Sequence, residues 1–236
     1  MDYGSSFHAQ LRAEAGSAWT AYVEHEFVRT LEDGTLPRGS FLHYLQQDYV
    51  YLIHYTRAWA LAAAKSTSVE EMREFAGTAL TLIDGEMQLH IETCKAVGIS
   101  QAALEATREE PENLAYTRFV MDAGQRGDLL DLLAALIPCA LGYGEIGARL
   151  LAATEGKRDG HPYKDWIETY GSDDYQGFAH AAAGRFQLVA ERTLGKDFKA
   201  SPRWRSLSDT FTTACRLETA FWSMGLRGQQ HPDFKV

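Results

Sequence analysis

The chain is poor in whatever divides, anchors or staples a protein. It has 6 prolines in 236 residues, with no serine-, glycine- or proline-rich tract and no repeat of fixed period. A single domain over residues 1–236, with a sizeable core, is therefore expected. No run of eighteen apolar residues occurs, so no membrane span is expected. The start, Met1-Asp2-Tyr3-Gly4, has neither a charged n-region nor an apolar stretch behind it, which predicts no signal peptide. The only cysteines are Cys94, Cys139 and Cys215. An odd count without metal-ligand spacing predicts reduced thiols in a cytoplasmic protein. Lys and Arg number 23 against 32 Asp and Glu, a net charge of −9. With no basic stripe, the electrostatic footprint of a nucleic-acid binder is missing.

Alternating apolar and polar stretches are also scarce. Apolar residues instead recur at spacings of three and four through almost the whole length, which predicts an all-α, multi-helix bundle in one domain. A first helix is expected over 4–33, closed by Gly34. A second opens near Pro37 and runs to about Lys65. Ser68-Val69-Glu70-Glu71 has the pattern of a capping box and opens a third that stops at Gly98. Short helices follow over 100–106 and 111–125. A long one runs from Asp128 to about 154, then a loop at 156–161 and a short helix over 162–169. The helix over 172–194 ends at Gly195, and the last runs from Ser201-Pro202 to about Met224.

Four places carry groups capable of chemistry. In Leu136-Ile137-Pro138-Cys139-Ala140-Leu141-Gly142-Tyr143, the proline disturbs a helical turn, and Tyr143 shares a face with Cys139. A thiol there with a phenol one turn on reads as a nucleophile and its positioner, or as a cysteine that simply packs. On the second helix Asp48 shares a face with Tyr44, Tyr51 and Tyr55. A carboxylate in an aromatic stripe requires a donor, either a neighbouring arginine such as Arg57 or the amine of a ligand. On the last helix Glu218 shares a face with Phe221 and Trp222, which would raise its pKa and suit a general acid, unless it pairs with Arg216 or another helix. Glu86 and His90 form an i, i+4 pair. Together with Asp48, Glu145, His25 and Glu218 they raise the question of a carboxylate-bridged metal. The repeated Glu-x-x-His signature of di-iron bundles is missing, so no metal is expected and His90 reads as a supporting or core histidine. Tyr116 and Tyr170 lie near helix ends and say little alone.

In order, these segments resemble the TenA family, the thiaminase II group of the haem-oxygenase-like helical bundles. The matching pieces are Asp33-Gly34-Thr35-Leu36-Pro37, Tyr44-Leu45-x-Gln47-Asp48-Tyr49-x-Tyr51-Leu52 and Pro138-Cys139-x-x-x-Tyr143-x-Glu145-Ile146-Gly147. Tyr163-x-x-Trp166-Ile167-x-x-Tyr170 and Glu218-x-x-Phe221-Trp222-x-Met224 continue the series. Ser223 and Gly225-Leu226 depart from it, where members often carry an acidic residue and a further aromatic. The resemblance implies that Cys139 is the nucleophile and Glu218 its acid/base partner. It implies that Asp48 holds a pyrimidine's amino group and ring nitrogen, that Tyr143 and Tyr170 complete the site, and that Tyr51 and Tyr116 line it. It further implies a cofactor-free hydrolase acting on 4-amino-5-aminomethyl-2-methylpyrimidine or thiamin, assembled as a homotetramer. Two other classes stay open: a non-catalytic pyrimidine-binding or regulatory protein, and a metal- or cofactor-dependent oxidase on the same bundle.

Overall fold

The computed structural model describes residue 1 and residues 3–228. Among these the regular structure is helical and no strand occurs. The α-helices are α1 (Ser6–Ala15), α2 (Ser17–Val23), α3 (Glu26–Glu32), α4 (Arg38–Lys65), α5 (Val69–Thr81) and α6 (Met87–Lys95), followed by α7 (Gln101–Glu105) and α8 (Pro111–Arg126). They continue with α9 (Leu129–Ala153), α10 (Lys164–Gly171), α11 (Asp173–Leu194) and α12 (Trp204–Gly228). The chain divides into two compact units. One takes in Met1–Leu36 and Leu133–Trp222; the other takes in Pro37–Leu132 and the chain from Ser223 on.

In the first unit the helix expected over 4–33 is three helices. Gly16 sits at φ +50°, ending α1 and opening α2. Only glycine takes that conformation without a Cβ penalty, so the apolar stripe continues while the backbone turns. The second break is at His25, whose extended backbone precedes α3 and whose Nδ1 accepts the Phe27 N–H at 3.1 Å. These turns place Phe7 edge-on to Phe186 and Phe198, each at 4.8 Å, and stack Trp19 on Phe211 at 5.7 Å. The helix expected from Asp128 appears as α9 and carries Pro138 without ending. By length and composition α9 could cross a membrane, with a mean hydropathy of 1.6. Yet 83 % of that window is buried, the position of a core helix.

In the second unit α4 spans the expected range and buries residues on all sides, Tyr44, Asp48, Tyr51 and Tyr55 among them. Ser68 caps α5 as its sequence predicts: its Oγ accepts the Glu71 N–H at 3.2 Å, and Glu71 reaches back to the Thr67 N–H at 3.2 Å. The expected single helix to Gly98 is interrupted by a π-helical turn, Leu82–Glu86, between α5 and α6. The final helix starts later than expected, because Ser201 caps a turn through the Arg203 N–H before Trp204 begins the helix proper. It also ends later than Met224. The Leu226 carbonyl accepts from Ser40 Oγ at 3.2 Å, and Arg227 bridges Glu110 at 3.3 Å and Glu112 at 2.7 Å. Those partners extend the helix through the departing residues Ser223, Gly225 and Leu226.

Candidate active site

The seven residues singled out in the sequence are all buried and divide between the two units. Cys139, Tyr143, Tyr170 and Glu218 lie in the first; Asp48, Tyr51 and Tyr116 lie in the second.

In the first unit α9 carries Cys139 and, one turn on, Tyr143. The Tyr143 ring lies 5.0 Å from Tyr170, 5.3 Å from Trp222 and 6.0 Å from Trp166. Trp222 also stacks on Phe27 at 4.8 Å. Glu218 is one turn before Trp222 on α12 and only 2 % exposed. Thus the ring that follows Cys139 by one turn touches the ring that follows Glu218 by one turn. The placement of Tyr170 depends on a backbone approach. A Cβ on Gly147 would stand 2.3 Å from the Tyr170 carbonyl carbon and oxygen, and one on Gly171 would stand 2.9 Å from the Gly147 carbonyl oxygen. Gln176 Nε2 closes this crossing by donating to the Gly144 and Tyr170 carbonyls, both at 3.0 Å. Gly147 on α9 and Gly171 on α10, unremarkable in sequence, are therefore what lets α10 sit against α9.

In the second unit α4 presents Asp48, 3 % exposed, among tyrosines. Its donors are neither Arg57 nor another arginine. His90 Nε2 on α6 lies 2.7 Å from Asp48 Oδ2, and Tyr44 Oη donates to the same oxygen at 3.1 Å. Arg57 instead donates to His54 Nδ1 at 3.3 Å on the exposed side. Among the described residues no donor reaches Asp48 Oδ1. The other His90 nitrogen, Nδ1, donates to the Glu86 carbonyl at 2.9 Å, so the pair noticed in sequence is made by backbone rather than by the glutamate side chain. Burial pushes the His90 pKa down, but the hydrogen bond and charge of Asp48, with the charge of Glu86, outweigh it and hold the imidazole above its ordinary value.

Tyr51, three residues after Asp48, stacks on Tyr55 at 5.4 Å and meets Tyr116 at 5.0 Å. Gln47 sets that meeting. Its Nε2 donates to the Arg108 carbonyl at 2.9 Å, its Oε1 accepts from the Glu110 N–H at 3.1 Å, and Asn113 Nδ2 donates to its backbone carbonyl at 2.8 Å. These bonds fix the start of α8 on α4, and Tyr116 follows Asn113 by one turn. Gln47 was visible only as part of a longer motif, because an isolated glutamine on a helix gives no signal of its own.

The residues considered for a metal are otherwise engaged. Glu145 accepts from Arg12 at 2.8 Å and from Trp19 Nε1 at 3.4 Å, and His25 caps α3. Among the described residues no group of three or more His, Cys, Asp or Glu is placed to hold a metal ion.

The sequence model of the TENA/THI-4/PQQC family matches residues 12–228. A protein of Halalkalibacterium halodurans named aminopyrimidine aminohydrolase is 38 % identical over 220 residues, covering 93 % of this chain and 95 % of its own. A solved structure described as a TenA family transcription regulator, from Silicibacter sp. TM1040, superposes with a TM-score of 0.87 at 57 % identity, over 94 % of this chain and 97 % of its own. A domain of Shewanella denitrificans described as having a heme oxygenase-like fold superposes with a TM-score of 0.58 at 10 % identity, over 97 % of each chain, and so bears on the fold alone.

Proposed function

We propose that this chain, which belongs to the TENA/THI-4/PQQC family, is an aminopyrimidine aminohydrolase of the thiaminase II type. It converts 4-amino-5-aminomethyl-2-methylpyrimidine, thiamin or both to 4-amino-5-hydroxymethyl-2-methylpyrimidine. The observation that carries the pyrimidine reading is Asp48: a buried carboxylate in an aromatic stripe, with both protein donors on one oxygen and none on the other among the described residues. Such a group suits the amino edge of an aromatic ring, with tyrosines to stack on its face.

In this reading Cys139 is the nucleophile and Glu218 the acid/base partner. Protonation of a ring nitrogen makes the adjacent carbon electrophilic, and the thiolate adds there, breaking aromaticity. The ring expels ammonia or the thiazole from the exocyclic methylene, and the leaving group takes the C–N electron pair. Water supplies the hydroxyl; its proton passes to the departing amine, or to solvent when the leaving group is the neutral thiazole, and loss of the thiolate restores the aromatic ring. A thiolate, a carboxylic acid and an anchoring carboxylate suffice, so the chemistry calls for no cofactor. Asp48 holds the amino group and ring nitrogen, Tyr143 and Tyr170 complete the site, and Tyr51 and Tyr116 line it. The match of one family model from residue 12 to residue 228 supports reading the chain as one domain. We place the enzyme in the cytoplasm, as a homotetramer, in thiamin salvage.

A panel of thiamin, the aminomethyl pyrimidine and its formylated derivative tests this, with release of the hydroxymethyl pyrimidine as the readout. Turnover of at least one is expected. Tight binding of the pyrimidines with no turnover of any would favour a regulatory protein instead, the description carried by the Silicibacter neighbour.

A further inference from the structure

His90 is fully buried, and both of its ring nitrogens are engaged. The Glu86 carbonyl can only accept, so Nδ1 carries a proton. A neutral imidazole would then point a lone pair from Nε2 at Asp48 Oδ2, and only a protonated carboxyl could fill the gap. With an imidazolium, Nε2–H donates to a carboxylate instead. The 2.7 Å separation is that of a charge-assisted hydrogen bond. The groups facing the ring are Asp48 and Tyr44 from α4 and Glu86 from its own stretch of chain. The Glu86 carbonyl belongs to the last residue of the π-helical turn Leu82–Glu86, a local departure of the kind that often marks a functional site.

We propose that His90 is a positioning residue for the pyrimidine anchor: held at Nδ1 by the π-turn carbonyl, it keeps Asp48 anionic and turned so that Oδ2 is filled by protein donors and Oδ1 is left to accept the amine of the ligand. This rests on the reading of Asp48 as the ring anchor. It assigns a role to a histidine that touches no reacting atom, and to the backbone irregularity that holds it.

The test is the affinity for the product, 4-amino-5-hydroxymethyl-2-methylpyrimidine, measured by calorimetry against pH. In the wild type, affinity falls as pH rises through the folded-state value of His90, which lies above the ordinary imidazole value of about 6.5, because the imidazolium is lost there. His90→Leu removes the donor and weakens binding at neutral pH by about tenfold to a hundredfold, the range for a lost hydrogen bond to a charged group. His90→Gln keeps an N–H donor that does not titrate; it regains most of that loss and abolishes the alkaline fall. A folded His90→Leu protein with wild-type affinity overturns the proposal, as does an unchanged pH profile in His90→Gln. If His90→Leu fails to fold, the His90→Gln profile decides alone. Asp48→Asn, measured alongside, separates the two readings. If it leaves affinity intact, Asp48 is not the anchor. If it weakens binding while the His90 variants behave as wild type, only the role of His90 fails.

Discussion

At the scale of single residues, the proposed chemistry rests on side chains that the fold keeps from solvent. Cys139 is 8 % exposed, on a helix that carries a proline just before it. Cys139→Ser changes little volume, so fold and product affinity are expected to stay near wild type. Turnover is expected to fall by roughly several orders of magnitude, since a neutral hydroxyl is a far weaker nucleophile than a thiolate. Steady-state kinetics beside calorimetry checks both halves, and a variant that keeps a tenth of the wild-type kcat rules out the thiolate mechanism. Asp48 shows how far such reasoning reaches from sequence. Its place in an aromatic stripe announces that a donor must exist, because an unpaired buried carboxylate is too costly to persist. Which donor is a question of tertiary contact: His90 is 42 residues away along the chain, and helical spacing relates only neighbours three or four apart.

At the scale of elements, the crossing of α9 with α10 makes a prediction with an internal control. Gly147→Ala forces a Cβ to within 2.3 Å of the Tyr170 backbone, so α10 must move. A loss of about 1–3 kcal/mol is expected, as for overpacking of a tight contact. A lower kcat/KM should accompany it, because Tyr170 shifts against Tyr143. Gly184→Ala, on α11 with nothing within 4 Å of its added Cβ, is expected to stabilise by about 0.5–1 kcal/mol through helix propensity. Thermal unfolding of the two variants should therefore move in opposite directions; two shifts of the same sign would remove the crossing from the argument. The same elements show what the sequence made legible. The period of three and four marks α4, α8, α9 and α11 closely, since each keeps one apolar register from start to end. The breaks at Gly16 and His25 and the π-turn at Leu82–Glu86 interrupt the backbone without interrupting that register, so periodicity runs straight through them. The end of α12 exceeds its expected limit for a related reason. Arg227 is held by Glu110 and Glu112, which lie more than a hundred residues earlier, and no local stop signal encodes that.

At the scale of the whole molecule, the shifted groups predict a stability maximum near pH 6.5. Burial pushes Glu145 and Glu109 up, but Arg12 beside the first and Arg118 beside the second outweigh it and hold both below the usual carboxylate range. Their stabilisation is present above about 4.5 and lost as pH falls further. Burial holds His25 and His54 below 6.5, with Glu26 and Glu109 opposing only in part. The unfolded chain binds those protons first, so stability begins to decline as pH drops below 6.5. On the alkaline side the sign reverses. His90 is held above its ordinary value, so its contribution is complete below 6.5 and is lost as pH rises through its folded-state value. A second stage starts near 9, where thiols ionise in the unfolded chain, while burial pushes Cys94 up to about 11 and raises Cys215 as well. Urea unfolding in reducing buffer at intervals between about pH 4 and pH 10 reads the whole curve. The net charge of −9 adds a general repulsion that grows with pH, but His90→Gln shares it, so the difference between the two curves isolates His90. The variant should lose the first alkaline stage and keep the second. A wild type that holds its full stability from 6.5 to 9 would mean that the imidazole facing Asp48 is not the charged partner its two hydrogen bonds require.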